Sequence, residues 1–240
     1  RCKMDGEDTV GYMYTFPIPE ELRLGNAFMM GVKKTCPECK MIVTPINSWH
    51  DPVVEQEAAK ALFDAGAYIV FTGADTPAPA IVAESYKEGK GKWGIPYDWK
   101  GSCTSKRCLT LPYWNWGPVY ASIVEGLRDG TYTPGRHYFD GDEKGLGLYG
   151  FMEGEELTEG LKDMPEEVLT FVRDYIADIE AGKWTRFDLF SGPIIDNQGN
   201  VVVPEGEKME DADLDTFDCS TTGCKYGMHY WNEGIIAELP

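Results

Sequence analysis

The sequence predicts an α/β protein in which a parallel β-sheet carries helices on both faces. Between residues 9 and 116, short and mainly apolar runs alternate with segments of helical periodicity. Near-continuous apolar strands are typical of parallel sheets that are covered on both sides. One helical segment also has well-marked ends, because Asp51 and Pro52 favour a helix start and Gly66 favours a stop. These features predict a β-α-β-α-β-α-β unit.

The elements follow in order along the chain. Helices are predicted at 19–33, 51–65 and 78–89, and again at 117–130 and about 166–181. A glycine-interrupted apolar segment at 138–152 has no assigned structure, and a hairpin is predicted around Asn197-Gln198-Gly199. No helix is predicted in the tail, residues 205–240. The five predicted strands are Val10–Phe16, Met41–Ile46, Tyr68–Thr72, Lys92–Pro96 and Leu109–Trp114.

Composition limits the partners that the protein can have. The chain has 240 residues, of which 42% are hydrophobic, so it can form a sizeable core. Its 40 acidic and 22 basic residues give a net charge of −18. Most of its faces would therefore repel a phosphate backbone or an anionic membrane surface, and we expect no nucleic-acid partner. No apolar run approaches the roughly 20 residues that a membrane-spanning helix needs.

Six of the seven cysteines form close pairs in the sequence. Local disulfides in an oxidising compartment are the favoured interpretation, with loop closures that each stabilise by roughly 2 kcal/mol. Zinc binding with His50, His137 or His229 and redox chemistry at the CPEC motif remain alternatives. Cys2 is left over, either as a free thiol or as the partner of a cysteine outside this sequence. The pairs are Cys36 with Cys39, Cys103 with Cys108, and Cys219 with Cys224.

Polar and aromatic side chains follow all five predicted strands. Ligands of parallel sheets bind beyond the carboxyl ends of the strands, where these residues would meet. Aromatic faces combined with carboxylates suit a flat, hydroxylated solute, whose rings stack and whose hydroxyls donate hydrogen bonds. Tyr113 is assigned to the core, and Trp116 is expected to pack on the other face of the strand. The candidate ligand-binding residues are Phe16, Asn47, Trp49, Asp75, Asp98, Trp114 and Asn115.

Short motifs occur in a familiar order over most of residues 9–215. They are FPIPE (16–20), NAF (26–28), NSWHDP (47–52), AGA (65–67), TGADT (72–76), WNWGP (114–118), FSGPIID (190–196) and VVVP (201–204). With these motifs the sequence resembles the BMP family, the basic membrane protein or purine-nucleoside-receptor-like lipoproteins that bind solutes for ABC importers.

The resemblance implies a type I periplasmic-binding-protein fold of two α/β lobes that close by a hinge around a purine base or nucleoside. It implies that Trp49 stacks on the base, that Asp98 accepts from the ribose or a base edge, and that Asp75 and Trp114-Asn115 line the cleft. Some family members have a Lys near Trp114, where this chain has WNW, so stacking replaces that contact and a free base is as suitable as a nucleoside. An ABC permease partner, an extracytoplasmic location with a lipid anchor in the precursor, and the absence of a cofactor are also implied.

One departure from the family concerns domain organisation. The strand at Val10–Phe16 resembles the first strand of the family's second lobe, so we expect a complete second lobe at 1–116 and only part of a first lobe. Residues 117–189 would return to that partial lobe, and 190–240 would form the hairpin and the Cys- and aromatic-rich tail. Either the chain is a fragment or half of a split protein, or a second chain or second copy supplies the missing lobe.

Two further functions remain open at this stage. An extracellular assembly subunit that reuses the fold would be oligomeric with an empty cleft, and the extra cysteines and aromatic tail favour it. An enzyme or metal protein would use Cys36, Cys39 and a histidine. No nucleophile and base pair is visible in the sequence, so a non-enzymatic solute-binding protein is the favoured hypothesis.

Overall fold

A five-stranded, entirely parallel sheet forms the centre of the described structure. The computed structural model describes residues 1–87, 91–135, 137–139 and 141–237. The order of the strands across the sheet is β4-β3-β1-β2-β9. Two small antiparallel pairs, β5 with β6 and β7 with β8, lie outside it. The strands are β1 (Thr9–Tyr14), β2 (Lys40–Pro45), β3 (Ile69–Thr72), β4 (Trp93–Ile95), β5 (Pro112–Trp114), β6 (Leu146–Leu148), β7 (Ile194–Ile195), β8 (Val201–Val203) and β9 (Ile235–Ile236).

Helices cover both faces of the sheet, as the apolar strands predict. Tyr12 of β1 faces a core that includes Leu22 and Met29 of α2, whereas Met13 faces a second core with Leu62 and Phe63 of α3. The helices are α1 (Cys2–Asp5), α2 (Pro19–Thr35), α3 (Pro52–Asp64), α4 (Ala78–Ala83), α5 (Trp116–Asp129), α6 (Glu159–Lys162), α7 (Glu166–Glu180), α8 (Arg186–Leu189) and α9 (Asp211–Leu214), with a 3₁₀ turn at Lys100–Ser102.

The local signals that predict the helix ends are confirmed. The Asp51 carboxylate accepts hydrogen bonds from the amides of Val53 and Val54, which caps the start of α3. The hairpin of β7 and β8 turns at Gly199, whose φ is 88°. Helix α4 is shorter than the predicted 78–89, because it ends at Ala83 and is followed by turns; residues 88 and 89 of that prediction lie outside the described residues.

The predicted strand at Leu109–Trp114 is confirmed only for its last three residues, Pro112–Trp114. This segment runs beside β4 through two isolated parallel bridges, Gly94 with Cys108 and Asp98 with Tyr113, and its last residues pair with β6 as β5. Pro112 lacks the backbone N–H that a continuous ladder needs. The fifth strand of the sheet is instead β9, from the tail, which lies parallel to β2 at the opposite edge.

The tail is also part of the main core. The Trp231 side chain is fully buried. Its ring packs edge-on against Tyr12 and Tyr14 of β1, with ring centroids 6.2 and 5.4 Å apart. The Asn26 side chain of α2 donates to the backbone oxygen of Tyr230 and accepts from the amide of Asn232, both at 2.9 Å. The aromatic residues of the tail therefore pack against the face of the sheet that α2 covers. In the described chain, no helix combines the length and the apolar character that crossing a bilayer requires.

The three predicted cysteine pairs are confirmed as disulfides, so these sulfurs are not available as thiolate ligands of zinc. They join Cys36 to Cys39, Cys103 to Cys108 and Cys219 to Cys224. Cys2 is a buried free thiol whose pKa burial raises to about 11. The proposed division of the chain at residues 116 and 189 remains a prediction.

Candidate functional site

The residues that follow the strands lie in a row along the carboxyl edge of the sheet. The amide of Gly73 bonds to the Met13 oxygen, and that of Asn47 bonds to the Thr15 oxygen, so the ends of β1, β2 and β3 are level. Neighbouring strands lie about 4.8 Å apart, so the row from Trp114 to Trp49 spans on the order of 20 Å. The candidates follow the order of the strands: Trp114 and Asn115, Asp98, Asp75, Phe16, then Asn47 and Trp49.

One end of the row is an aromatic pair. The rings of Phe16 and Trp49 have their centroids 5.3 Å apart, at an interplanar angle of 57°. Trp49 is 57% exposed, so much of its ring is free to stack on a solute. The backbone of Asn47, at the start of this loop, has a φ of 52°. This left-handed conformation is one that Asn tolerates better than most residues. This end therefore presents an exposed aromatic ring.

The middle of the row carries two carboxylates. Partial burial raises the pKa of Asp75, and the negative charges of Asp98 and Glu20 raise it further. The pKa of Asp98 is raised by burial as well. Asp98 has a φ of 75°, and its backbone bonds to Pro112 and Trp114, which fixes its position between β4 and the next segment. The two acidic side chains thus form one negative region that suits donors such as hydroxyls and amino groups.

The other end of the row is a second aromatic group. The rings of Trp114 and Tyr97 have their centroids 6.3 Å apart at an interplanar angle of 74°, and Trp114 is partly exposed. The Asn115 side chain donates to the Lys144 oxygen at 2.9 Å, so its amide holds the neighbouring loop. The expectation that Trp116 packs away from this face is wrong: Trp116 begins α5, is exposed, and lies between Trp114 and Tyr120 in a row of rings. Tyr113 is buried, as predicted.

Sequence reasoning did not select three residues behind the row. The negative charge of Glu20 raises the pKa of Asp75. Glu20 lies in the first turn of α2, where an acidic residue is ordinarily explained as a solvent-facing helix residue. Glu21 is buried, and the Tyr12 hydroxyl donates to its carboxylate at 2.9 Å; burial raises the pKa of Glu21. Tyr97 connects the core residue Phe71 to Trp114 through ring contacts. The buried Glu21 directly follows the FPIPE motif, whose own glutamate is the exposed Glu20.

A cavity of about 520 Å³ adjoins the Trp114 end of the row. Its lining includes the aromatic residues Tyr97 and Trp114 and the basic residues Arg23 and Arg186. Each arginine is paired with an acidic residue, Arg23 with Asp215 at 2.5 Å and Arg186 with Asp211 at 2.6 Å. The cavity is therefore mainly apolar and carries little net charge, and it extends the aromatic end rather than the acidic region.

Metal-ligand geometry is limited to one group in the described part of the chain. Asp213, Cys219 and Cys224 place their ligand atoms within 4.8 Å of one another. The two sulfurs are already joined in a disulfide. The Asp213 carboxylate accepts from the amides of Lys225 and Tyr226 at 2.6 and 2.7 Å, which gives it a structural role in the tail.

Most of the chain matches the model of a known protein family. The family model described as "ABC transporter substrate-binding protein PnrA-like" matches residues 3–170. A protein of Brucella abortus (strain 2308) named as a purine-binding protein is 28% identical over 239 residues, which cover 100% of this chain and 61% of that protein. A protein of Haloferax volcanii named as an ABC transporter glucose-binding protein is 30% identical over 166 residues, 68% of this chain and 41% of that protein.

The fold is similar to that of solved solute-binding proteins. A solute-binding protein of an ABC transporter system from Conexibacter woesei aligns with a TM-score of 0.57 and 19% identity. The alignment covers 77% of this chain and 58% of the other. The chain thus spans roughly two fifths to three fifths of the length of the relatives named here.

Proposed function

This chain belongs to the family of PnrA-like ABC transporter substrate-binding proteins, and on that premise we propose that it binds a purine base or nucleoside at the carboxyl edge of its sheet. The observation that supports the proposal is the row itself, in which an aromatic pair with the exposed ring of Trp49 is followed by two carboxylates. The purine-binding name of the Brucella relative supports the choice of ligand. Members of this family bind substrates for transport, and we propose no catalytic activity for this chain.

The chemistry of binding follows from the residue types. Trp49 supplies a stacking face for the purine ring, because offset or edge contacts between flat aromatic systems are favourable. Asp75 and Asp98 accept hydrogen bonds from ribose hydroxyls or from amino groups of the base, and a charged acceptor makes such bonds stronger. Phe16 supports the indole of Trp49 from the side. A solute with an aromatic part and several donors would satisfy both regions at once.

The same proposal includes a location and a partner. A substrate-binding protein of an ABC importer works outside the cytoplasm and delivers its solute to a membrane permease. The three disulfides agree with an oxidising compartment.

Calorimetric titration of the unfolded and refolded protein tests the proposal, since unfolding removes any solute that copurifies. We expect one or more of adenine, guanine, adenosine, guanosine and inosine to bind, and glucose to bind at least tenfold more weakly, a difference of about 1.4 kcal/mol. Glucose is the informative competitor because a relative bears that name. Binding of glucose in preference to every purine, or no purine binding at millimolar concentration, would reject the ligand.

A matched pair of tryptophan variants tests the location of the site. Trp49→Ala is expected to weaken purine binding at least tenfold. Trp184→Ala is the control, because Trp184 contacts Tyr175, which lies beside Lys34 in the last turn of α2 and away from the carboxyl edge. If Trp114→Ala weakens binding and Trp49→Ala does not, the base stacks at the other aromatic end.

A further inference from the structure

A buried carboxylate stands between two loops of the proposed site. Glu55, in the first turn of α3, is only 2% exposed. Its Oε1 atom accepts from the backbone amide of Asp51 at 2.9 Å, and its Oε2 atom accepts from the Thr76 hydroxyl at 2.7 Å. The exposed His50 ring places Nδ1 3.4 Å from Oε1. Glu55 therefore joins the loop after β2 to the loop after β3.

Each of these partners lies next to a residue of the row. Asp51 comes two residues after Trp49, and Thr76 directly follows Asp75. The Thr76 hydroxyl also accepts from the amide of Ala78 at 3.1 Å, so it connects Glu55 to the first residue of α4. The hydrogen-bonded path from the stacking loop to the acidic loop thus passes through one side chain.

The bond from Glu55 to Thr76 is not required to begin α3. The Asp51 side chain already caps that helix by accepting from Val53 and Val54. An ordinary capping interaction would also remain within its own helix, whereas this one reaches a different loop. Burial makes the bond specific, since a buried carboxylate is stable only where donors meet both of its oxygens.

We propose that Glu55 is a positioning residue that holds the Trp49 loop and the Asp75 loop at a fixed spacing, so that ring and carboxylate contact the same solute. This role rests on the proposed function as far as affinity is concerned, but the connection between the loops can be measured without a ligand. Preorganised groups bind more tightly because less ordering remains to be done when the solute arrives.

Hydrogen exchange at single amides, followed by mass spectrometry with electron-transfer fragmentation, tests the connection. Glu55→Met keeps the length of the side chain and removes both acceptors. We expect faster exchange at the Asp51 amide, which loses its acceptor, and also at the Ala78 amide, whose acceptor Thr76 is no longer held. Glu55→Gln is expected to restore slow exchange at both, because its amide oxygen can accept from Asp51 while its NH₂ donates to Thr76. Glu57→Met, on the exposed side of the same helix, is the control.

Ligand titration of the same variants tests the consequence for binding. We expect Glu55→Met to weaken the best purine ligand at least tenfold, while Glu55→Gln and Glu57→Met stay within about threefold of the wild type. Thr76→Val should resemble Glu55→Met, Thr76→Ser should resemble the wild type, and the double variant Glu55→Met/Thr76→Val should be little weaker than either single variant.

The outcomes separate the two proposals. Unchanged exchange at Ala78 in Glu55→Met, or additive losses in the double variant, would overturn the positioning role even if purines bind. If no purine binds the wild type, the proposed function fails, and the exchange at Ala78 still decides whether Glu55 connects the loops. Should Glu55→Met not fold, the Thr76→Val and Thr76→Ser pair tests the bond from the other side, with exchange compared at the Asp51 amide, because Thr76→Val itself removes the acceptor of the Ala78 amide. Unchanged exchange at Asp51 in Thr76→Val would then overturn the positioning role.

Discussion

At the scale of single residues, Asp98 combines two features that do not favour stability. Its carboxyl is partly buried, which raises its pKa, and its backbone is left-handed. Residues held in unfavourable conformations persist where the surrounding structure fixes them, and they occur often at binding sites. The backbone bonds to Pro112 and Trp114 provide that constraint here.

We expect Asp98→Asn to weaken binding of the best purine at least tenfold and to leave the fold intact. Asn tolerates a positive φ, so the backbone is kept, and only the charge is removed. Removing a partly buried charge should raise the unfolding temperature slightly, by no more than about 2 °C, since the group is still partly solvated. Titration calorimetry and thermal unfolding measure the two effects. A variant that loses stability and keeps its affinity would show that Asp98 is structural.

The raised pKa values of Asp75 and Asp98 predict how binding changes with pH. Because the ionised carboxylate is the stronger acceptor, affinity should fall as the pH decreases through the raised pKa values, above the usual Asp range near 3.9. Titrations from neutral pH down to about pH 4 measure this fall. A double variant with Asn at both positions should show a flatter profile, and equal profiles for variant and wild type would contradict the assignment.

Stability should depend on the same groups with the opposite sign. A carboxyl with a raised pKa binds protons in the folded state before it does in the unfolded chain, so its unfavourable contribution is full above the raised pKa. It disappears as the pH falls toward about 3.9, the value for the unfolded chain. The stability advantage of Asp98→Asn over the wild type, measured by urea unfolding, should therefore be constant near neutral pH and shrink in acid.

Residue types at strand ends were the part of the site that the sequence could predict. The position of Asp98 beside Trp114 follows from strand order, and the structure keeps both at one edge. Trp116 could not be placed, because alternation applies only while the chain remains a strand, and α5 begins at this residue. Glu55 was missed because a Glu in the first turn of a helix is ordinarily explained by the helix dipole.

At the scale of elements, α2 shows why the tail belongs to the core. A Cβ atom on Gly25 would lie 2.7 Å from ring atoms of both Trp231 and Tyr12, so only glycine lets these rings meet the helix. Gly31, in the same helix, has open space around it. The two glycines therefore lie in the same helix, but only Gly25 is packed against aromatic rings.

We expect Gly25→Ala to lower the free energy of unfolding by about 1–3 kcal/mol, because the added methyl forces the tail or β1 to shift. Gly31→Ala should raise it by up to about 1 kcal/mol, since alanine is the better helix former and meets nothing. Urea unfolding of both variants measures the difference. Equal effects would mean that Trp231 does not pack on α2 in solution.

Helix and strand predictions succeeded where local signals agreed and failed where pairing partners are distant. Asp51, Pro52 and Gly66 mark α3 by their own backbone preferences. The tail strand β9 has only two residues and is defined by its neighbour β2, so nothing in its own pattern distinguishes it from a turn. The strand predicted at Leu109–Trp114 is longer than the observed β5, because the apolar residues before Pro112 pack beside β4 without forming a continuous ladder.

At the scale of the whole molecule, net charge and site charge act in the same direction. The chain carries a charge of −18. The segments that follow the strands, 16–20, 47–51, 73–76, 97–99 and 114–117, contain four acidic residues and no Lys or Arg. The resulting field should disfavour anionic solutes near the edge of the sheet. The proposed class of solute rests on the family, and the charge refines that proposal.

We expect the best nucleoside to bind at least tenfold more tightly than its 5′-monophosphate in buffer of low ionic strength. Salt screens the repulsion between exposed charges, so the ratio should narrow at about 0.5 M salt, where the Debye length is only about 4 Å. Competition titrations at the two salt concentrations measure the ratio. A monophosphate that binds as tightly as the nucleoside at low salt would contradict this account.

The position of β9 also bears on the order in which the molecule can fold. Strands β1, β2 and β3 lie within the first third of the chain and can pair as soon as they exist. The strand that covers the edge of β2 and the ring that covers Tyr12 come from residues 231–236, which lie more than 150 residues after β3. Until these residues dock, β2 has an open edge to which another chain could add. During folding, an intermediate in which β1, β2 and β3 have paired but the tail has not docked is therefore more prone to associate with its neighbours than the finished fold.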